Sequence, residues 1–183
     1  MRGSMRVSLL LCAAAVVAGL FGTSTRSPSA VGPRYTAEGA LLRPDGIESW
    51  TLVGASLGLG YGTAAGTPPG VFHRVYLEPS SFARYRRTGR FPDGTMLALS
   101  SYLPNARVPP ATQGWFEGEA AGLEMAVKDQ ARGGWSYYGF DQDRSGATAR
   151  AFPPERCRQC HADHAARDNV FAQFYPTLRD PRP

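Results

Sequence analysis

Five consecutive residues constrain this chain more than any others: Cys157-Arg158-Gln159-Cys160-His161. The spacing C-x-x-C-H is the attachment signature of a c-type haem. Two thiols add across the two vinyl groups of one haem, and the adjacent histidine reaches the iron as an axial ligand. Three other readings of the pair stand beside this one. A zinc site needs four ligands. Beyond the two thiols only His73, His161 and His164 offer imidazoles, and joint tetrahedral ligation by neighbouring Cys160 and His161 is awkward. A thioredoxin-like redox pair belongs in a βαβ context, and no such pattern surrounds it. A structural disulfide would close a very small ring.

The N-terminal stretch agrees with the haem reading. Arg2 and Arg6 precede a charge-free apolar run over residues 7–21, followed by small residues. This is the pattern of a secretory signal, and the run is shorter than the roughly 20 residues that a membrane span needs. We therefore expect residues 1–30 to be a signal peptide and mobile leader, and residues 31–183 to form one domain. Cleavage is expected between Gly22 and Ala30, and export is expected to deliver the protein to the periplasm. Cys12 lies too early, and without a lipobox, for a lipid anchor. Removing residues 1–30 takes away Arg2, Arg6 and Arg26 and no acid, so the net charge falls by three, from +5 to +2. The remaining charge gives no reason to invoke nucleic acid or membrane binding. About 150 residues suffice for one real core. Lys128 is the only lysine.

Periodicity outlines a β-rich domain. Residues 47–57 are apolar enough for a packed element of undetermined type. Residues 59–70, rich in Gly and carrying Pro68 and Pro69, read as a loop. Residues 71–77 read as a strand with Val71, His73, Val75 and Leu77 on one face and Phe72, Arg74 and Tyr76 on the other. Pro79 opens a short helix that Gly89 closes, with Phe82 and Tyr85 inside. Asp93-Gly94 turns into a strand over residues 95–102, and residues 104–114 read as another loop. Residues 115–128 and the aromatic stretch 135–140 read as strands. Residues 157–166 and 169–175 suit short helices, the second ended by Pro176. The expected fold is α+β: mainly an antiparallel sheet of four to five strands with short helices and the haem near the C-terminus.

Several of these blocks carry a resemblance. Cys157-x-x-Cys160-His161 followed by Asp168-Asn169-Val170-Phe171-Ala172-Gln173-Phe174-Tyr175-Pro176-Thr177-Leu178-Arg179 is similar to the C-terminus of the cytochrome P-460 family. Val75-Tyr76-Leu77-Glu78-Pro79 with Phe82, Arg87-Thr88-Gly89-Arg90-Phe91 and Asp93-Gly94-Thr95 resemble its central segment. Gly122-Leu123-Glu124, Val127-Lys128-Asp129 and residues 135–140 resemble further blocks. The resemblance spans residues 35–180. It implies a periplasmic homodimer with a largely antiparallel β fold, one covalent haem c, His161 as proximal ligand and an open sixth position. The family's founding enzymes oxidise hydroxylamine, with nitric oxide, to nitrogen oxides. They carry an extra lysine–haem bond, and Leu99 stands at the matching position here. The chain resembles more closely the cytochrome c′-beta branch, which lacks that bond and binds nitric oxide and other small gases.

Three function classes follow. An apolar distal pocket formed by Leu99, with Phe116 as a further aromatic candidate, favours simple uptake of a diatomic gas. Glu124 matches a distal carboxylate associated with substrate protons in the enzymes. As a distal acid or base it would point to an oxidoreductase acting on hydroxylamine or nitric oxide; the alternative is that it faces solvent on an alternating strand. A periplasmic electron carrier, with a redox-partner cytochrome, is the third. His73 and His164 read as structural and surface histidines. Met96 and Met125 read as core residues before axial ligands. Arg87 and Arg90 read as partners of haem propionates or as solvated side chains.

Overall fold

The computed structural model describes residues 32–60, 68–106, 108–140 and 146–181. The expected signal and leader over residues 1–30, with Cys12, and the middle of the glycine-rich loop lie outside these residues. In chain order the strands are β1 (Leu41–Leu42), β2 (Thr51–Leu57), β3 (Phe72–Leu77), β4 (Met96–Ala106), β5 (Trp115–Asp129), β6 (Gly134–Phe140) and β7 (Thr148–Ala149). The helices are α1 (Pro79–Thr88), α2 (Arg158–His164) and α3 (Pro176–Arg179). Strands β2 to β6 form one five-stranded sheet in sequence order, and every neighbouring pair is antiparallel. A small second sheet pairs β1 with β7. Among the described residues no helix is long and apolar enough to cross a membrane.

Both faces of the large sheet are covered, which explains why its strands are apolar on alternate and on adjacent positions. Successive side chains point to opposite faces. Val75, Leu77, Leu97, Trp135 and Tyr137 go to a first core, while Tyr76, Met96, Ala98, Met125, Val127 and Tyr138 go to a second. The first is closed by Tyr85 and Phe91 and by the C-terminal residues Val170, Phe171, Ala172, Tyr175 and Leu178. The second is closed by Leu41, Ile47, Trp50 and Ala149.

Helix α1 forms as its sequence signals. Pro79 sits at the N-terminal turn, where a missing N–H costs nothing. The Glu78 carboxylate accepts from the Ser80 and Ser81 amides at 2.9 and 2.8 Å. Burial would push this carboxyl up, but those donors outweigh it and hold its pKa below the ordinary value. Gly89 closes the helix at φ 68°, a left-handed conformation that suits glycine. Tyr85 is fully buried, stacks on Phe91 at 4.2 Å and donates its hydroxyl to the Leu178 carbonyl.

Two expectations are corrected. Residues 104–106 are not loop: β4 runs through Pro104, opposite Glu117, to Ala106, opposite Trp115. Strand β3 begins at Phe72, opposite Tyr102, so Pro104 lies beyond the end of that pairing and its missing donor breaks no ladder with β3. Residues 169–175 are not a helix. Asp168 and Asn169 adopt φ of 44° and 58° in a tight turn closed by mutual bonds between Arg167 and Val170. A single 3₁₀ turn, Ala172–Phe174, follows. Pro176 then opens α3 instead of ending a helix.

Candidate functional site

Cys157 caps the N-terminus of α2, and Cys160 and His161 lie in its first turn. Residues three and four apart share one helical face, so the C-x-x-C-H spacing gathers two thiols and an imidazole on one side of a single turn. Both cysteines are free, half-buried and packed against the first core. Burial pushes the Cys157 thiol up, and the nearby Glu124 charge adds to this. The thiol therefore stays protonated at neutral pH.

His161 is held on three sides. Its Nδ1 lies 2.8 Å from the Asn169 carbonyl. A carbonyl only accepts, so Nδ1 carries the proton and Nε2 keeps its lone pair. Tyr137 and Phe171 pack on the ring with centroids 4.4 and 4.5 Å away. Burial pushes the imidazole pKa down, and the bond to Asn169 only partly opposes it. The neutral form, which is the ligating form, prevails at neutral pH.

The helix face borders a mainly apolar cleft of about 100 Å³. Val75, Leu97, Leu99, Glu124 and Ala126 supply its sheet wall, and Phe152, Asn169, Val170, Phe171 and Tyr175 line the side built by the C-terminal segment. Two glycines let aromatic rings lie against the sheet. A Cβ at Gly54 would strike the Tyr175 ring, and one at Gly139 would strike Phe152. Leu99 and Glu124 are directly paired across β4 and β5, so both border the cleft from one face. Glu124 is at the same time exposed to solvent.

The structure thus brings Cys157, His161, Leu99 and Glu124 together around one cleft. Phe116 is elsewhere: it is 41% exposed on the β4–β5 arm and does not line the cleft. Met96 and Met125 are buried in the second core; Met125 also borders the cleft, and Met96 does not. His73 is half-buried in β3 on the Val75 face but outside the cleft lining, and burial pushes its pKa down. His164 is exposed on α2, and Arg87 and Arg90 are exposed and also outside the lining. Among the described residues no three His, Cys, Asp or Glu side chains cluster to hold a metal ion, so nothing completes the zinc reading.

The family model for cytochrome P460 matches residues 44–172, from before β2 to the 3₁₀ turn that follows the C-x-x-C-H helix. The chain belongs to the cytochrome P460 family. No curated protein matches it. P460 membership makes the chain a haem cytochrome, and its cleft suits that cofactor: an apolar slot, the free Cys157 thiol on its lining with free Cys160 one turn along the same helix, and an imidazole with one nitrogen already satisfied. Sequence reasoning missed Tyr137, Phe152, Asn169 and Tyr175 in this P460 site. Only the Asp168-Asn169 pair carried a usable signal, since such residues favour a turn with two positive φ angles.

Proposed function

We propose that this chain is an exported cytochrome carrying one haem c, bound covalently through Cys157 and Cys160, with His161 as its iron ligand, and that it binds nitric oxide or a related diatomic gas. The observation that carries the reading is Leu99. It stands in the cleft wall, flanked by Leu97 and Val75, where the resemblance places the cross-linking lysine of the hydroxylamine-oxidising enzymes. A haem held there would supply an iron centre with one coordination position left for the gas. The residues of the chain do the rest. Cys157 and Cys160 fix the group's edge, Asn169 and the flanking rings of Tyr137 and Phe171 aim the imidazole, and Leu97, Leu99 and Val75 disfavour water over a neutral diatomic.

Glu124 supports a second reading, an oxidoreductase acting on hydroxylamine or nitric oxide. Its carboxylate borders the same cleft beside Leu99 and is open to solvent, so it has a route for protons in and out. Delivery to the periplasm, a homodimer and a redox-partner cytochrome complete the proposal.

Spectra and intact mass of the purified protein test it. The expected result is a mass gain of one haem joined by two thioethers, and a five-coordinate high-spin ferrous spectrum that changes on adding nitric oxide. A six-coordinate spectrum indifferent to nitric oxide would favour the electron carrier. Hydroxylamine turnover that disappears in Glu124→Ala would replace the gas-binding reading with the enzymatic one. A third protein–haem bond would overturn the role given to Leu99.

A further inference from the structure

The carbonyl that receives the His161 proton belongs to a turn that local backbone preference does not hold on its own. Asp168 and Asn169 both take positive φ, which is costly for side chains other than glycine, although Asp and Asn bear it best. Contacts from distant strands fix this turn. Lys128 on β5 places Nζ 2.7 Å from Asp168 Oδ2 and also donates to the Phe91 carbonyl at 2.9 Å. Trp135 on β6 donates its Nε1–H to Asp168 Oδ1 at 3.1 Å. Each carboxylate oxygen thus has one donor from the sheet. The next residue, Asn169, presents its carbonyl to His161 Nδ1 at 2.8 Å and takes a longer bond from the Tyr137 hydroxyl at 3.3 Å.

We infer that Asp168 is a positioning residue for the iron ligand: Lys128 and Trp135 anchor its carboxylate to the sheet, which holds the strained Asp168–Asn169 turn and aims the Asn169 carbonyl at His161. This rests on His161 being that ligand. A well-aimed acceptor on Nδ1 fixes the ring and makes the other nitrogen a stronger donor to a metal. Outer hydrogen bonding of this kind is one of the levers a protein has on haem electronics. Tyr137 draws on the same carbonyl and weakens what His161 receives, so the two donors are opposed. The sole lysine of the chain acquires a task here: it is an anchor for the proximal turn.

Resonance Raman of the ferrous haem protein and redox titration test the clamp. Asp168→Ala and Lys128→Met are each expected to lower the iron–histidine stretching frequency and to raise the ferrous-to-ferric ratio at fixed ambient potential by about tenfold. Asp168→Asn, which tolerates the turn but keeps one acceptor oxygen for the two donors, is expected to fall between wild type and Asp168→Ala. Tyr137→Phe is expected to move the frequency the other way. Should Asp168→Ala not fold, Lys128→Met decides alone. Unchanged frequency and ratio in folded, haem-loaded variants overturn the clamp and leave the functional reading intact. A wild-type protein without covalent haem sinks that reading and the clamp with it.

Discussion

At Gly139 a missing side chain builds the cleft. The Phe152 ring occupies the space that a Cβ would take, and Phe152 lines the cleft. Gly139→Ala is therefore expected to cost about 1–3 kcal/mol, the usual toll of overpacking, read as a lower denaturant midpoint. Adding Phe152→Leu to it should restore part of the loss. Glu124 offers a test of charge. Burial and the Glu124 carboxylate both raise the Cys157 pKa, so Glu124→Gln removes one cause and lowers it. In protein prepared without haem, alkylation of Cys157 should then begin at lower pH than in the parent. The chemistry-bearing residues were the legible part of this site: Cys157, Cys160 and His161 are contiguous, and their types define the reaction they suit. Its aromatic walls were not, because Tyr137 meets His161 and Phe152 reaches the cleft only through strand register and chain return. Phe116 shows the converse error. An aromatic in a strand pattern says nothing about which end of the strand reaches a cleft.

Among the elements, α1 depends on one buried carboxylate. Glu78 is 2% exposed, and its pKa is held below the ordinary value. A depressed carboxyl contributes stability that is present above its unfolded pKa and is lost as pH falls through the folded one. Glu78→Gln is expected to lower stability near neutrality by about 1 kcal/mol, as loss of an N-cap does. The gap between the variant and wild type should close as melting is followed down into the acid range. The signals that placed α1 are local, Pro79 at one end and Gly89 at the other, and so were readable without a structure. Strand β5 was readable from a long stretch with no clean helical stripe. The continuation of β4 through Pro104 was hidden, since a proline there is tolerated only because its pairing with β3 has already ended. The β1–β7 pair is two residues long on each side and leaves no periodicity to find. Pro176 was misread because proline both closes and opens helices, and the turn at Asp168 and Asn169 determines which.

At the scale of the molecule, the segment that bears the thiols also closes a core. Val170, Phe171, Ala172, Tyr175 and Leu178 are buried against the sheet, and α2 hangs between them and β7. A ligand held by this segment and by the sheet together should stabilise the whole domain. Cys157→Ser with Cys160→Ser is expected to yield protein free of covalent haem that melts at least about 5 °C lower than the loaded form, measured by circular dichroism at equal concentration. An equal melting temperature would show that the cleft is closed without its occupant.

The placement of that segment also sets a timetable. Chains emerge N-terminus first, at roughly 5–20 residues per second. The five strands precede the cysteines, so the surface that receives the cofactor is made before the groups that fasten it. Until residues 170–178 arrive, Val75, Leu77, Leu97 and Trp135 are covered only by Tyr85 and Phe91. The interval between the last strand and the closing tail is the stretch of biogenesis in which this apolar face is open to wrong partners, and the thiols come within reach before it ends.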